Sequence, residues 1–93
     1  MNVEEPVETT IFDMVLFPNP TEDAFRVQFS TALKTDYDWQ LFDALGRELQ
    51  SGSVQEGTEN IDVNTALLSS GMYIFAIRND AVYAQRKVVV RRQ

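Results

Sequence analysis

An all-β fold, a seven-stranded antiparallel β-sandwich of immunoglobulin-like form, is what this 93-residue chain predicts. Three observations carry that expectation. Apolar and polar residues alternate in short runs, most cleanly where Phe25, Val27 and Phe29 interleave with Arg26, Gln28 and Ser30. Turn-forming groups recur every ~8–12 residues. No helical periodicity is sustained anywhere in the chain. A 44% hydrophobic content with ten aromatic residues supplies one modest core, and the length suits a single domain.

Residues 1–8 (Met-Asn-Val-Glu-Glu-Pro-Val-Glu) are acidic and aperiodic, and predict a linker or extended arm ahead of a domain over residues 9–93. A first strand is expected from Thr9 to Leu16. Phe17-Pro18-Asn19-Pro20 follows. Its prolines fix φ twice, remove two amide donors and push Phe17 and Asn19 toward extended geometry, which predicts a rigid, non-pairing corner. After the Phe25 strand, Lys34-Thr35-Asp36 makes a polar connection. Tyr37, Trp39 and Leu41 then alternate with Asp38 and Gln40.

Asp43-Ala44-Leu45-Gly46 places Asp first and Gly fourth in a type I turn, with Gly46 free to take the positive φ of a hairpin bulge. The return strand is expected over Arg47–Val54. Gln55-Glu56-Gly57 turns the chain into a short strand holding Ile61 and Val63. Asn64–Ser70 predicts one helical turn, capped by Asn64, with Leu67 or Leu68 inward. Gly71 then releases Met72–Arg78, the most apolar segment. Asn79-Asp80 suits a two-residue hairpin, and Tyr83–Arg91 closes the fold.

Composition excludes several function classes. With no cysteine and no histidine, disulfides, thiolate metal sites and a His-based triad are ruled out, and no Ser-x-x-Lys is present for a Ser/Lys dyad. No glycine loop is built for phosphate, and a thin sandwich gives paired carboxylates little cleft. No enzyme is expected, nor any cofactor or metal. Asp36, Asp38 and Asp43 miss the spacing of a calcium loop and read as turn solvation. The longest apolar run, Met72–Ile77, is far too short to span a bilayer, so direct membrane insertion is not expected. No basic start precedes an apolar segment, so no N-terminal signal peptide is expected; the chain reads as an excised domain.

Charge is uneven. Residues 1–62 hold thirteen acids and three bases, whereas residues 63–93 hold one acid and five bases. The net charge of −6 argues against nucleic acid. Arg86, Lys87, Arg91 and Arg92 nevertheless form a basic end, read first as charged gatekeepers flanking a valine strand. Trp39 with Tyr37, Tyr73 and Tyr83 offers an aromatic platform for sugars, but Trp39 shares the apolar face of Leu41, which favours packing. Met72–Ile77 is apolar on both faces. Arg78 and Arg86 should cover the outward one, unless a partner does. A terminal strand at a sheet edge would also offer its backbone to a receptor strand. Exchanges at Val88 and Val90 that leave the fold intact are the expected probe of that pairing.

Four segments in order, Phe17-Pro18-Asn19-Pro20, Asp43 to Arg47, Leu68 to Tyr73 and Lys87-Val88-Val89-Val90, together resemble the type A C-terminal sorting domain of the type IX secretion system of Bacteroidetes. The resemblance covers about residues 14–93. It implies an export address recognised by the outer-membrane secretion translocon, behind a parent cargo protein that reaches the periplasm by its own signal. It also implies delivery to the cell surface or extracellular space, usually with cleavage by a sortase-like cysteine protease within or before residues 1–10. In this family reading Phe17, Pro18, Asn19 and Pro20 form the corner, and Asp43, Gly46 and Arg47 the hairpin. Gly71 and Tyr73 set the penultimate strand, and Lys87, Val88, Val89 and Val90 carry recognition. Thr21-Glu22-Asp23-Ala24 departs from the small or glycine residues common there. The alternatives are a docking module retained on the machinery and a carbohydrate-binding or adhesive immunoglobulin-like module.

Overall fold

Period-two alternation becomes two facing sheets in the computed structural model, which describes residues 13–92. The strands are β1 (Met14–Phe17), β2 (Ala24–Phe29), β3 (Tyr37–Asp43), β4 (Glu48–Val54), β5 (Asn60–Asn64), β6 (Gly71–Arg78) and β7 (Tyr83–Val90). They pair antiparallel as a three-stranded sheet, β1-β2-β5, and a four-stranded sheet, β4-β3-β6-β7. The predicted all-β, seven-stranded sandwich is therefore what forms.

The alternating residues meet between the sheets. Phe25, Val27 and Phe29 of β2 are buried, as are Leu41 of β3, Phe75 and Ile77 of β6, and Val88 and Val90 of β7. Phe25 and Phe75 bridge the sheets edge to face, with ring centroids 6.0 Å apart and planes at 86°, an arrangement favoured by the ring quadrupoles. On the solvent side of the three-stranded sheet, Arg26 and Asp62 face each other across β2 and β5, with Nε 2.8 Å from Oδ1. That hydrogen bond raises the guanidinium pKa and lowers the carboxyl one.

Four expectations need correction. The first strand runs to Phe17, which pairs with Arg26, and its described part starts at Met14; residues 9–12 and the proposed arm at 1–8 lie outside the described residues. Asn64 ends β5 and residues 65–70 form turns and no helix, although the expected cap is made, Asn64 Oδ1 accepting from Ala66 N at 2.8 Å. Thr65 O accepts from Leu68 N and from Arg92 Nη2, and Leu68 O accepts from Arg92 Nε at 3.0 Å. Leu68 does pack against the core, while Leu67 is 97% exposed.

The third correction is the last hairpin. Arg78 pairs with Tyr83, leaving a four-residue loop in which Asn79 Oδ1 accepts from both Ala81 N and Val82 N at 2.8 Å. A two-residue type I′ turn needs positive φ at both central residues; this loop has no glycine, and only glycines take positive φ among the described residues. Finally, Arg86 lies opposite Phe75, on the inward face, so it does not cover the outward face of β6; Gln85 and Lys87 are the β7 residues beside Ala76 and Ile74 there.

Candidate functional site

Both X-Pro bonds of the corner, Phe17-Pro18 and Asn19-Pro20, are cis. With no amide on either proline, the chain leaves β1 and crosses from the three-stranded sheet to the outer edge of β7. There Asn19 uses both ends of its side-chain amide. Nδ2 donates to Lys87 O at 3.0 Å, and Oδ1 accepts from Val89 N at 2.9 Å. Thr21 continues as a short parallel bridge. Its N–H donates to Val89 O and its C=O accepts from Arg91 N, each at 2.8 Å.

This clasp answers the edge question. β7 is an edge strand, as the receptor-pairing idea requires. Yet its outward backbone groups from Lys87 O to Arg91 N are already engaged by Asn19 and Thr21. Receptor pairing along that stretch would need the clasp removed. Val88 and Val90 are fully buried, so exchanging them probes the core and not an exposed contact.

The other predicted residues gather beside the clasp. Across the four-stranded sheet Asp43 pairs with Tyr73 and Tyr73 with Val88; Gly71 pairs with Val90. The hairpin, the β6 start and the terminal valines thus occupy one end of one sheet, in adjacent strands. Tyr73 is buried and its hydroxyl donates to Ser69 O at 2.6 Å, tying β6 to the loop before it. Gly71 opens β6, and Phe17 is an exposed β1 terminus.

The central hairpin is built as its sequence specifies. Gly46 N donates to Asp43 O at 2.9 Å, closing the turn, and Gly46 has φ +88°. Asp43 Oδ1 accepts from Leu45 N and Arg47 N, both at 2.9 Å, while Oδ2 receives Arg47 Nε at 2.8 Å. Backbone hydrogen bonding from Arg47, joined by its guanidinium and the Leu45 amide and opposed by desolvation, holds the Asp43 pKa below the ordinary carboxylate value. An extra residue, Leu49, bulges from β4 just beyond, between the Leu41–Gln50 and Phe42–Glu48 pairs.

Four contributors were not legible. Arg92 donates to Leu68 O, Thr65 O and, at 3.2 Å, Asp23 Oδ1, while its amide bonds Ser70 Oγ. It is a bolt, not a solvated gatekeeper. Thr21 and Thr65 are buried polar residues whose hydroxyls donate to Ala24 O and Glu22 O. Gly52 makes room for Trp39, which stacks on Phe75 with centroids 5.9 Å apart. That packing is the role expected for Trp39. Only the departure at Thr21–Ala24 hinted that this loop was special.

Depressions lie along the four-stranded sheet among the described residues. One of about 390 Å³ lies between the Asp43–Arg47 hairpin and Leu67–Tyr73. A larger one, about 690 Å³, lies at the opposite end between Thr35–Asp38 and Arg78–Ala81, away from the gathered residues. No helix is long and apolar enough to cross a membrane, among the described residues.

Comparison with known proteins gives the family. No curated protein matches the chain significantly. A family model described as "Secretion system C-terminal sorting domain" matches residues 15–91, from the second residue of β1 to the residue whose amide closes the clasp. Such a domain is a signal that engages the type IX secretion machinery for export to the cell surface or extracellular space, and its family is not an enzyme family. The chain therefore belongs to the secretion system C-terminal sorting domain family.

Proposed function

We propose that this chain is a type A sorting domain from a Bacteroidetes protein, carried C-terminal to a cargo that crosses the inner membrane by a separate signal. The outer-membrane translocon reads it in the periplasm as a folded body over residues 9–93. Residues 1–8 join that body to the cargo and offer the peptide bond that a sortase-like cysteine protease cuts. One observation supports this reading above others: all four predicted segments converge on one end of the four-stranded sheet and its clasped edge. A convergent surface is what a folded-shape signal needs.

The experiment is fusion of residues 1–93 behind a periplasmically targeted reporter in a host with the type IX system. Reporter at the surface, released from the domain by a cut within or before residues 1–10, is the expected result. Reporter confined to the periplasm overturns the export role. Intact domain at the surface overturns the cleavage step and makes it a retained docking module.

A further inference from the structure

The stretch Lys87–Val90 has three things to offer a receptor: inward side chains, backbone edge and outward side chains. The first two are used inside the domain. Val88 and Val90 are buried, and the edge from Lys87 O to Arg91 N is held by Asn19 and Thr21. What remains are Lys87 and Val89, on the solvent side of the sheet.

Strand register extends that pair into a surface. Lys87 lies opposite Ile74, which lies opposite Phe42 on β3; Val89 lies opposite Met72. Met72 is 45% exposed, and Phe42, Ile74 and Val89 are partly exposed. A sandwich face turned to water ordinarily alternates to polar residues. Here four apolar side chains stand together, with exposed Lys87 and Arg91 on the β7 side.

We infer that the strip Phe42, Met72, Ile74 and Val89, with Lys87 beside it, is the surface through which the secretion machinery reads the domain. The inference rests on the export reading and names its surface. The occupant is a protein with an apolar centre and carboxylates placed to meet Lys87 and Arg91. Charge selects it. A chain of net charge −6 is repelled as a whole by an anionic lipid surface, whereas local carboxylates on a protein can complement two cations without facing the acidic remainder.

The test compares residues 1–93 behind the periplasmically targeted reporter with four variants: Met72→Ser/Val89→Thr, Lys87→Glu, Lys87→Arg and Arg26→Gln. Arg26 lies on the outward face of the other sheet and serves as control. Exported reporter is measured, and thermal unfolding of each purified chain reports folding. The strip and Lys87→Glu variants should stay folded and lose about tenfold in export, the size expected when a central contact is lost, while Arg26→Gln matches wild type. Lys87→Arg should restore export. Because Lys87 is exposed, its variants remain informative even if the double variant unfolds.

Folded Lys87→Glu exported like wild type would overturn the surface and leave the export signal standing. Wild type held in the periplasm would instead overturn the export reading itself. Binding of the purified chain to phosphatidylglycerol vesicles, abolished by Lys87→Glu, would assign the strip to lipid and overturn the protein partner.

Discussion

Asn19 Oδ1 accepts the Val89 amide at 2.9 Å across seventy positions of the chain. The same side chain donates to Lys87 O, so one amide spans two successive outward groups of the terminal strand. Asn19→Ala removes both bonds and should cost about 1–2 kcal/mol, at the usual net value of such bonds. Urea denaturation should show a lower midpoint with an unchanged slope. Faster hydrogen exchange at Val89 should accompany it. Asn19→Asp, which keeps the acceptor and loses the donor, should fall between.

Arg92 joins the terminus to three separate carbonyl or carboxylate groups. Arg92→Met keeps much of the aliphatic stem and discards the donors. The expected loss is about 1–3 kcal/mol, since the Thr65 and Leu68 carbonyls are partly buried and would be left short of partners. Exchange protection should fall over residues 65–70 before it falls in β2 or β6, and uniform loss would contradict the bolt.

Gly52 is a strand glycine for which alanine would ordinarily be an improvement. Here a Cβ would sit 2.6 Å from Trp39 Nε1 and 2.9 Å from Cε2, against a ring stacked on Phe75. Gly52→Ala should therefore destabilise the domain by about 1–3 kcal/mol, the usual cost of overpacking. A shift in tryptophan emission should report displacement of the indole. Unchanged emission and stability would show that the ring yields freely.

Asp43 titrates lower in the folded chain than unfolded, so the unfolded state takes up its proton first as pH falls. Its contribution is complete above the unfolded pKa of about 4 and disappears as pH drops through the lower folded value. Wild type should thus exceed Asp43→Asn in stability at pH 7, and the difference should shrink below about pH 4. Denaturation midpoints of both proteins from pH 7 to pH 2 measure it. A pH-independent gap would remove the charge from the account.

The strands and the central hairpin were legible because their causes are local. Alternation along Phe25–Phe29 and the Asp43–Gly46 turn chemistry act over a few residues. The corner was expected to be non-pairing, whereas Phe17 pairs with Arg26 and Asn19 holds β7; nothing near Asn19 in sequence points to Val89. Arg92 was misread for the same reason: its acceptors at Asp23, Thr65 and Leu68 are close only once both sheets are formed. Asn64–Ser70 looked helical by its cap and leucines; the cap forms, but the chain makes one turn there, whose Thr65 and Leu68 carbonyls meet a distant arginine. Terminal valines stood out by composition, although the fold leaves only every second residue visible from outside.

Because the clasp is made between residues near opposite ends of the folded body, it forms only when both ends are present. A chain that stops short of Val89 leaves Asn19 without its acceptor-bound amide and Thr21 without its bridge. The three-stranded sheet then loses its backbone tie to the edge of β7, and Gln50 Nε2 on Asn64 O remains as a hydrogen bond between the sheets at that end. Such a product keeps its local strand pairs and loses the long-range bonds that join Asn19 and Thr21 to β7.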